Sequence, residues 1–410
     1  MIRAVVASSI GNALEFYDLT LYLYFATAIS KLYFPSSNPS VSLLLALGSF
    51  GVSYLMRPLG AVVLGLYADK VGRKPALTLS IGLMMIGTAM MVVMPTYESI
   101  GVLASVGVLV ARLIQGFSVG GEFGASTAFM VEQGSGRKGF FASFQFASQG
   151  LASVLAALAG FLLSAALTQD QIAAWGWRLP FAFGLLIGPV GLYIRRNLPE
   201  TPDFEASARE ADAPARDLFV RQWPNLLLAT GLVATSTALN YMISYTPTYA
   251  VTQLGLPPWI GFAASFVGAV MLMTVAPVVG HWSDTVGRTP IMRLIVIAVF
   301  VLMLPAFALL IAFPTLLVIV PVLALIGILK ASYSAALPAL MAEIFPTRTR
   351  SAGMNLSYNV GVTLFGGFAP FWIEGLIALT HTPLAASYFL MFAASVSFAC
   401  LLLVRRRMGL

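Results

Sequence analysis

The chain has 410 residues, of which 59% are hydrophobic and only 10% are charged. Soluble domains carry roughly 25% charged residues, so a water-soluble fold of this composition would lack a polar surface, and a surface facing lipid is expected. The single cysteine, Cys400, excludes an internal disulfide and a cysteine-based metal site. Since the sequence also contains no phosphate-binding loop, nucleophile motif or metal signature, it predicts neither an enzyme nor a bound cofactor.

Apolar runs follow one another along the whole chain. A membrane-spanning helix needs about 20 mostly apolar residues, because the hydrocarbon core is about 30 Å thick. Runs of this kind, separated by charged or Gly/Pro-rich turns, predict an all-α membrane protein with twelve spans. The predicted spans are 4–30, 42–66, 75–95, 99–131, 139–168, 177–196, 225–252, 258–282, 290–312, 314–342, 351–379 and 382–404.

The positions of lysine and arginine predict the orientation of these spans. With the N-terminus in the cytoplasm, 18 of the 23 basic residues fall in cytoplasmic segments, and only Lys31 and Arg178 fall outside. Both termini are therefore expected in the cytoplasm, as an even number of spans requires. The net charge of +7 is explained by topology and by contact with anionic lipid. No nucleic-acid partner is predicted.

Two six-helix halves are predicted from repeated motifs. The pattern G-x3-D-x2-G-R occurs at 65–73 and again at 280–288, and a second pair of matching motifs lies around 130–139 and 341–353. The two pairs are separated by 215 and 211 residues, which predicts a parallel repeat of the kind found in rocking transporters. The predicted units are an N-terminal half over 1–196, a cytoplasmic linker over 197–224 and a C-terminal half over 225–410.

The repeated motif also predicts a gate at the cytoplasmic face. Its aspartate ends a helix, where it can meet basic residues or the N-terminus of a neighbouring helix. Such a contact can form when this side closes and break when it opens, although the same residues would also serve as simple loop anchors. The gate candidates are Asp69, Arg73, Asp284 and Arg288, together with Arg57 at membrane depth.

The doubled motif resembles that of the major facilitator superfamily, and longer stretches resemble its metabolite:proton symporter family. These stretches are GNALEFYDLTLYLYFA, YLMRPLGAVVLGLYADKVGRK, ARLIQGFSVGGEFGAS, GRKGFFASFQ, WGWRLPFAFG and AEIFPTRTRSAGMNLSYNVGVTLFGG. The resemblance implies a monomer in a bacterial inner membrane that carries a small organic substrate, usually with protons. Family members are similar to carriers of 2-oxoglutarate, citrate and tricarballylate, shikimate, or zwitterions such as proline and betaine. Sodium is not excluded as the coupling ion.

Six charged residues are predicted at membrane depth, where each costs about 2.5–3.5 kcal/mol unless it pairs or lines a watery cavity. Glu15 and Asp18 are three residues apart and share a helix face. Two close carboxylates raise one another's affinity for a proton, so both are candidates for proton coupling, with Glu122 as a further one. Alternatively, these acids pair structurally with Arg57 or Arg112. The sixth charge is Lys330.

Arg112 and Lys330 are predicted to contact the substrate from the two halves. The planar fork of Arg112 suits a carboxylate, unless it bonds permanently to the acids of the first span. Lys330 lies midway along its span, which disfavours snorkelling to an interface. Two cations at the midplane favour a di- or tricarboxylate, whereas in a symporter of zwitterions Arg112 would be structural. Further polar residues serve either the cavity or helix–helix contacts: Gln115, Gln145, Asn240, Tyr241, Tyr333 and Asn359.

Overall fold

A computed structural model of the chain describes residues 12–13, 16–71, 73–120, 137–196, 220–346 and 349–408. Within these ranges the backbone is helical apart from turns and short connections. The predicted all-α fold is therefore confirmed for the described part of the chain.

The N-terminal half begins with a helix that is interrupted by a turn at Phe25. Two short helices, Tyr97–Ile100 and Gln169–Gln171, and a π-helical turn over Ile172–Gly176 lie between its longer helices. The helices are α1 over 16–24, α2 Ala26–Tyr33, α3 Pro39–Val71, α4 Arg73–Val93, α5 Val102–Val119, α6 Lys138–Ala166 and α7 Arg178–Arg196.

The described residues of the C-terminal half form seven α-helices. A π-helical turn over Thr363–Gly367 joins two of them, so that one predicted span is built from two α-helical pieces. The helices are α8 Trp223–Thr252, α9 Pro258–Val286, α10 Arg288–Ala312, α11 Leu316–Ile344, α12 Arg350–Val362, α13 Ala369–Thr380 and α14 Ala385–Met408.

Nine helical segments of the described residues are long and apolar enough to cross a membrane. Their burial separates central from peripheral helices. In the most apolar stretch of α8, 94% of the residues are buried. In the most apolar stretch of α10, which has a mean hydropathy of 3.1, only 28% are buried. An apolar helix that other helices do not cover must face hydrocarbon. Thus α8 lies inside the bundle, and α10 presents most of its surface to lipid.

The two halves meet along α6 and α9. Three glycines of α6, spread over 22 residues, lie against α9: Gly139 faces the Gly280 carbonyl, Gly150 faces the Met273 backbone, and Gly160 faces the Phe262 ring. A side chain at any of these glycines would collide with α9. Small residues let helix backbones approach closely in membranes, so this contact between the halves runs along most of both helices.

Close helix contact also organises the N-terminal half, and Gly116 gives a direct test of it. A Cβ atom added at Gly116 would lie 1.8 Å from the backbone oxygen of Ser53 on α3. We expect Gly116→Ala to destabilise the protein by about 1–3 kcal/mol, because overpacking forces backbone shifts. The melting temperature of the purified protein measures this loss. Gly82→Ala on α4 is the control, since no atom lies within 4 Å of its added Cβ. Equal melting temperatures of the two variants would contradict this packing.

Candidate functional site

Arg112 and Asp18 are connected through two neutral side chains. Arg112 Nη1 donates to Gln115 Oε1 (2.6 Å), and Gln115 Nε2 donates to Thr88 Oγ1 (3.0 Å). The Thr88 hydroxyl donates to Asp18 Oδ2. Asp18 Oδ1 and the Nε and Nη2 atoms of Arg112 are buried without a hydrogen-bond partner among the described residues. Both charged groups therefore keep polar atoms that a ligand or a proton can use.

Arg112 and Arg57 lie against a row of aromatic rings. The guanidinium carbon of Arg112 is 4.4 Å from the centroid of the Tyr22 ring and 5.1 Å from that of Phe50. That of Arg57 is 4.1 Å from the Tyr54 ring. The Phe50 and Tyr54 centroids are 5.1 Å apart. Desolvated cation–π contacts of this kind contribute about 2 kcal/mol each, so the rings hold both arginines in place without neutralising them.

Lys330 is buried in the C-terminal half, with 1% of its surface exposed. Its Nζ atom donates to Ser236 Oγ (2.8 Å), which also shares a hydrogen bond of 2.8 Å with Ser334 Oγ. The same Nζ atom lies 4.5 Å from the ring centroid of Phe146 on α6, in the other half. Both ion pairs found among the described residues involve Arg288. In that part of the chain Lys330 thus has no carboxylate partner.

Two of the predicted cavity residues, Tyr241 and Asn359, contact the other half, and a third, Asn240, precedes Tyr241 on α8. The hydroxyl groups of Tyr241 and Tyr54 share a hydrogen bond across the halves. Asn359 Nδ2 donates to the Gly120 carbonyl (3.0 Å) at the end of α5. Asn240 is buried, with 8% of its surface exposed, and no described residue hydrogen-bonds its side-chain amide. Of these three, Asn240 best retains its capacity to bind a ligand.

The other predicted cavity residues join helices within one half. Gln145 and Asn12 form two hydrogen bonds with each other. Gln145 Nε2 donates to Asn12 Oδ1 (3.1 Å), and Asn12 Nδ2 donates to the backbone carbonyl of Gln145 (3.0 Å). Tyr333 donates its hydroxyl to the Leu232 carbonyl (2.7 Å), which joins α11 to α8. Gln115 bridges Arg112 to Thr88, as described above. These contacts favour the interhelical role that the sequence left open.

The second copy of the repeated motif joins the two halves. Asp284 Oδ1 accepts from the Gly139 amide (2.7 Å), and Asp284 Oδ2 accepts from the Phe140 amide (3.1 Å), at the N-terminus of α6. A helix N-terminus leaves amides unpaired and carries partial positive charge, so a carboxylate stabilises it. Arg288 lies 3.6 Å from Asp284 and forms an ion pair with Glu343. Asp284 thus makes both of the contacts that the sequence left open for it, one with a helix N-terminus and one with a basic residue, and its role as a gate stays a prediction.

Removing the Asp284 carboxylate is expected to loosen this end of the bundle, because the N-terminus of α6 loses its cap. A lost cap costs roughly 0.5–2 kcal/mol, so Asp284→Ala should raise the modification rate of a buried cysteine at Ser143 by about tenfold. The rate is measured with a water-soluble maleimide on Ser143→Cys protein that also carries Cys400→Ser. Glu343→Gln is the control, since it breaks only the ion pair with Arg288. An unchanged rate in Asp284→Ala would contradict the gate.

The halves also meet at the opposite end of the bundle, which we call the distal end. There Thr248 Oγ1 donates to the Leu23 carbonyl (3.2 Å), and the Tyr24 and Phe262 rings lie 5.7 Å apart in an edge-to-face contact. Phe262 and Asp284 lie at opposite ends of α9, roughly 33 Å apart at about 1.5 Å per residue. Contacts at both ends therefore enclose the charged residues between them.

Glu374 is a buried acid that the sequence analysis missed. It lies in the predicted span 351–379, on α13, with 4% of its surface exposed. It accepts hydrogen bonds from the Tyr245 hydroxyl and from Gln253 Nε2, the latter at 3.3 Å from both carboxylate oxygens. The sequence feature that could have identified Glu374 is a carboxylate within an apolar run. The contacts of Phe146 with Lys330 and of Thr88 with Asp18 left no comparable signal in the sequence.

Several predicted residues fall outside what the structure describes. Glu15 and Glu122, both candidates for proton coupling, lie outside the described residues, as does most of the linker, 197–219. Asp69 and Arg73 belong to α3 and α4, but their side chains are likewise outside the description. The roles assigned to these residues stay predictions.

Comparison with known proteins identifies the family. The family model described as Major Facilitator Superfamily matches residues 8–370. The chain is 36% identical to a citrate-proton symporter of Klebsiella pneumoniae, covering 96% of this chain and 89% of the relative. It is 33% identical to a proline/betaine transporter of Escherichia coli K12 (96% and 81% covered) and 33% identical to an alpha-ketoglutarate permease of the same strain (90% and 86%).

The fold is also similar to that of solved structures. A crystal structure of a D-xylose-proton symporter has a TM-score of 0.75 over 97% of both chains, at 16% identity. A partially occluded, inward-open xylose transporter of E. coli has a TM-score of 0.76 at 14% identity, covering 99% and 97%. At these identities the likeness concerns the fold alone. The chain therefore belongs to the Major Facilitator Superfamily, as its motifs indicate, and it is a multi-pass protein of the bacterial inner membrane.

Proposed function

We propose that this protein is a proton-coupled symporter that carries a di- or tricarboxylate, of the 2-oxoglutarate or citrate type, by alternating access. It works as a monomer of twelve helices, in two halves, with both termini in the cytoplasm. The observation that carries the proposal is Lys330, which is buried in the C-terminal half without a carboxylate partner among the described residues. A buried ammonium is costly unless a counter-charge offsets its desolvation. An anionic substrate supplies that charge.

The balance of buried charges supports an anion. Among the described residues, three buried cations, Arg57, Arg112 and Lys330, accompany only two buried acids, Asp18 and Glu374. Glu374 lies near the distal end with Tyr245 and Gln253, so it does not neutralise the central cations. No described residue accepts a hydrogen bond from Arg112 Nε or Nη2, and these two atoms form one edge of the guanidinium that suits a carboxylate. A substrate with two or three carboxylates can engage both halves.

Asp18 couples the proton to the anion in this proposal. Its Oδ1 atom is buried and lacks a partner among the described residues, while Oδ2 is connected to Arg112 through Thr88 and Gln115. Protonation removes one negative charge from this network and leaves the positive charge of Arg112 uncompensated. The anion then binds more strongly, and by thermodynamic linkage the bound anion raises the affinity of Asp18 for the proton. Both ions therefore bind, and cross, together.

The relatives support a proton-coupled carrier and differ in substrate. A citrate-proton symporter and an alpha-ketoglutarate permease, 36% and 33% identical, support the carboxylate. A proline/betaine transporter, 33% identical over 96% of the chain, supports the alternative of a zwitterion. For a zwitterion, the same acids would serve in proton coupling, and both Arg112 and Lys330 would have structural roles. Two buried cations in opposite halves favour the carboxylate.

Ligand-induced stabilisation of the purified protein tests the substrate class. A ligand that binds only the folded state raises the free energy of unfolding by RT ln(1 + [L]/Kd), about 2.7 kcal/mol at a hundredfold excess over Kd. The expected result is a higher melting temperature with citrate or 2-oxoglutarate at acidic pH, and no change with proline or betaine. Stabilisation by proline, betaine or shikimate alone would overturn the carboxylate and favour that substrate instead.

A further inference from the structure

Glu374 lies in a polar cluster that the proposed transport cycle does not yet use. Its carboxylate, on α13, accepts from the Tyr245 hydroxyl of α8 and from Nε2 of Gln253, the residue that follows α8. Both partners are neutral, and neither ion pair of the described residues includes Glu374. A buried carboxylate with neutral donors alone is poorly compensated for the loss of water. A proton on Glu374 removes this penalty.

At this end, the described parts of the elements that pack against α13 contain no lysine or arginine that could replace the proton. Helices α8, α3 and α14 and the π-helical turn pack against α13. The part of α3 over 39–53 has no titratable side chain, and neither has the π-helical turn. The titratable groups of the remaining elements at this end are Tyr245 and Tyr249 of α8, Tyr388 of α14 and His381 after α13. None of these is a lysine, an arginine or a second carboxylate.

The elements that hold Glu374 also close the distal end. Pro247 interrupts the hydrogen bonding of α8 between the two donors, which allows the helix to bend there. The next residue, Thr248, donates to the Leu23 carbonyl of the other half. The π-helical turn before α13 contacts α3, since Thr363 donates to the Tyr54 carbonyl (3.0 Å). The cluster therefore joins two interrupted helices beside their contacts with the N-terminal half.

We propose that Glu374 is a second proton-binding site, which must be protonated for the distal end to close. When this end opens, water reaches the carboxylate, which then releases its proton to the solution at that side. When the end closes, the carboxylate takes a proton from the same solution and enters the bundle as a neutral acid. Because the proton returns to the side it came from, Glu374 sets the pH range in which this end closes and adds no proton to those carried. The inference rests on the proposed alternation of the two ends.

Cysteine modification at the distal end tests this inference without substrate or gradient. Thr248→Cys is introduced into protein that also carries Cys400→Ser, and its rate of reaction with a water-soluble maleimide is measured at each pH. This rate is divided by the reaction rate of an exposed reference cysteine, Ser36→Cys, at the same pH. Measured from about pH 5.5 to about pH 8.5, the normalised rate should rise with pH, because each unit above the midpoint of the curve lowers the protonated fraction about tenfold. Glu374→Gln, a neutral isostere, should hold the rate low and change less than about twofold over the same range.

A second variant keeps the test informative if the glutamine variant folds poorly. Tyr245→Phe removes a donor that stabilises the ionised carboxylate, so Glu374 binds its proton more strongly. The midpoint of the rate–pH curve should therefore move to higher pH. A flat curve in the parent protein, or an equal rise in Glu374→Gln, would overturn the inference. Since no substrate takes part, that result would leave proton-coupled symport standing, and a failure to transport carboxylates would leave this pH dependence unaffected.

Discussion

Replacing Lys330 with glutamine is expected to abolish uptake of labelled citrate and 2-oxoglutarate into proteoliposomes. Glutamine keeps a similar length and a donor for Ser236, but it removes the charge that faces the anion. Truncating one partner of a buried charge pair costs about 2–5 kcal/mol, which is roughly 30-fold to several thousandfold in binding. The initial rate of uptake, normalised to the amount of reconstituted protein at a fixed acid-outside gradient, measures this loss.

Lys31→Gln is the matched control, since Lys31 is exposed near the end of α2. This variant should transport at the rate of the parent protein. Both variants should elute as one species from a sizing column, which shows that loss of transport does not reflect misfolding. Unchanged uptake in a folded Lys330→Gln variant would contradict the proposed substrate contact and would leave Lys330 a structural residue.

Replacing Asp18 with asparagine is expected to separate transport from the proton. Asparagine can still accept from Thr88, so the connection through Gln115 to Arg112 persists. The variant should exchange labelled for unlabelled substrate across the membrane at a rate within about threefold of the parent, yet lose accumulation driven by a pH gradient. With one proton carried and one pH unit across the membrane, the parent can accumulate substrate up to about tenfold, whereas the variant should reach only equal concentrations on both sides.

Asp170→Asn serves as the control for this substitution, because Asp170 is exposed in the short helix Gln169–Gln171. It should accumulate substrate as the parent does. Gradient-driven accumulation by Asp18→Asn equal to that of the parent would assign proton coupling to another acid. Glu15 and Glu122 are then the residues to replace next.

Much of the fold could be predicted because a run of about 20 apolar residues indicates a membrane-spanning helix. The predicted span 139–168 coincides with Lys138–Ala166, and 290–312 lies within Arg288–Ala312. The interruptions could not be predicted in this way. The π-helical turn Thr363–Gly367 lies inside the predicted span 351–379, and its sequence is as apolar as its flanks. Hydrophobicity predicts that a segment spans the membrane as a helix, but it does not predict whether that helix contains α- or π-type hydrogen bonds.

The candidate site could be predicted residue by residue but not contact by contact. Arg112, Lys330 and Asp18 stood out because charges are costly inside an apolar run, and all three are buried. Nothing in sequence spacing shows that a neutral Thr88 lies between Asp18 and Gln115, or that Phe146 of the other half covers Lys330. Such contacts depend on how helices pack across the two halves, and a periodic pattern along one helix does not contain that information.

Glu374 shows that the burial of a residue also depends on contacts that its own stretch of sequence does not contain. It lies near the end of the predicted span 351–379 and was not selected from the sequence, yet only 4% of its surface is exposed. Depth in the membrane and burial in the protein are separate quantities. Residues such as Tyr245 and Gln253, which keep this carboxylate inside, lie more than 120 positions away in sequence.

Uptake of radiolabelled citrate and 2-oxoglutarate into proteoliposomes, with and without an acid-outside gradient, tests the central claim most directly. Proton-coupled carboxylate symport predicts uptake that exceeds equilibrium under the gradient, collapses when a protonophore dissipates it, and is competed away by unlabelled carboxylates. No uptake of either compound, in a preparation that accumulates proline, betaine or shikimate under the same gradient, would contradict the claim and place Lys330 among the structural residues.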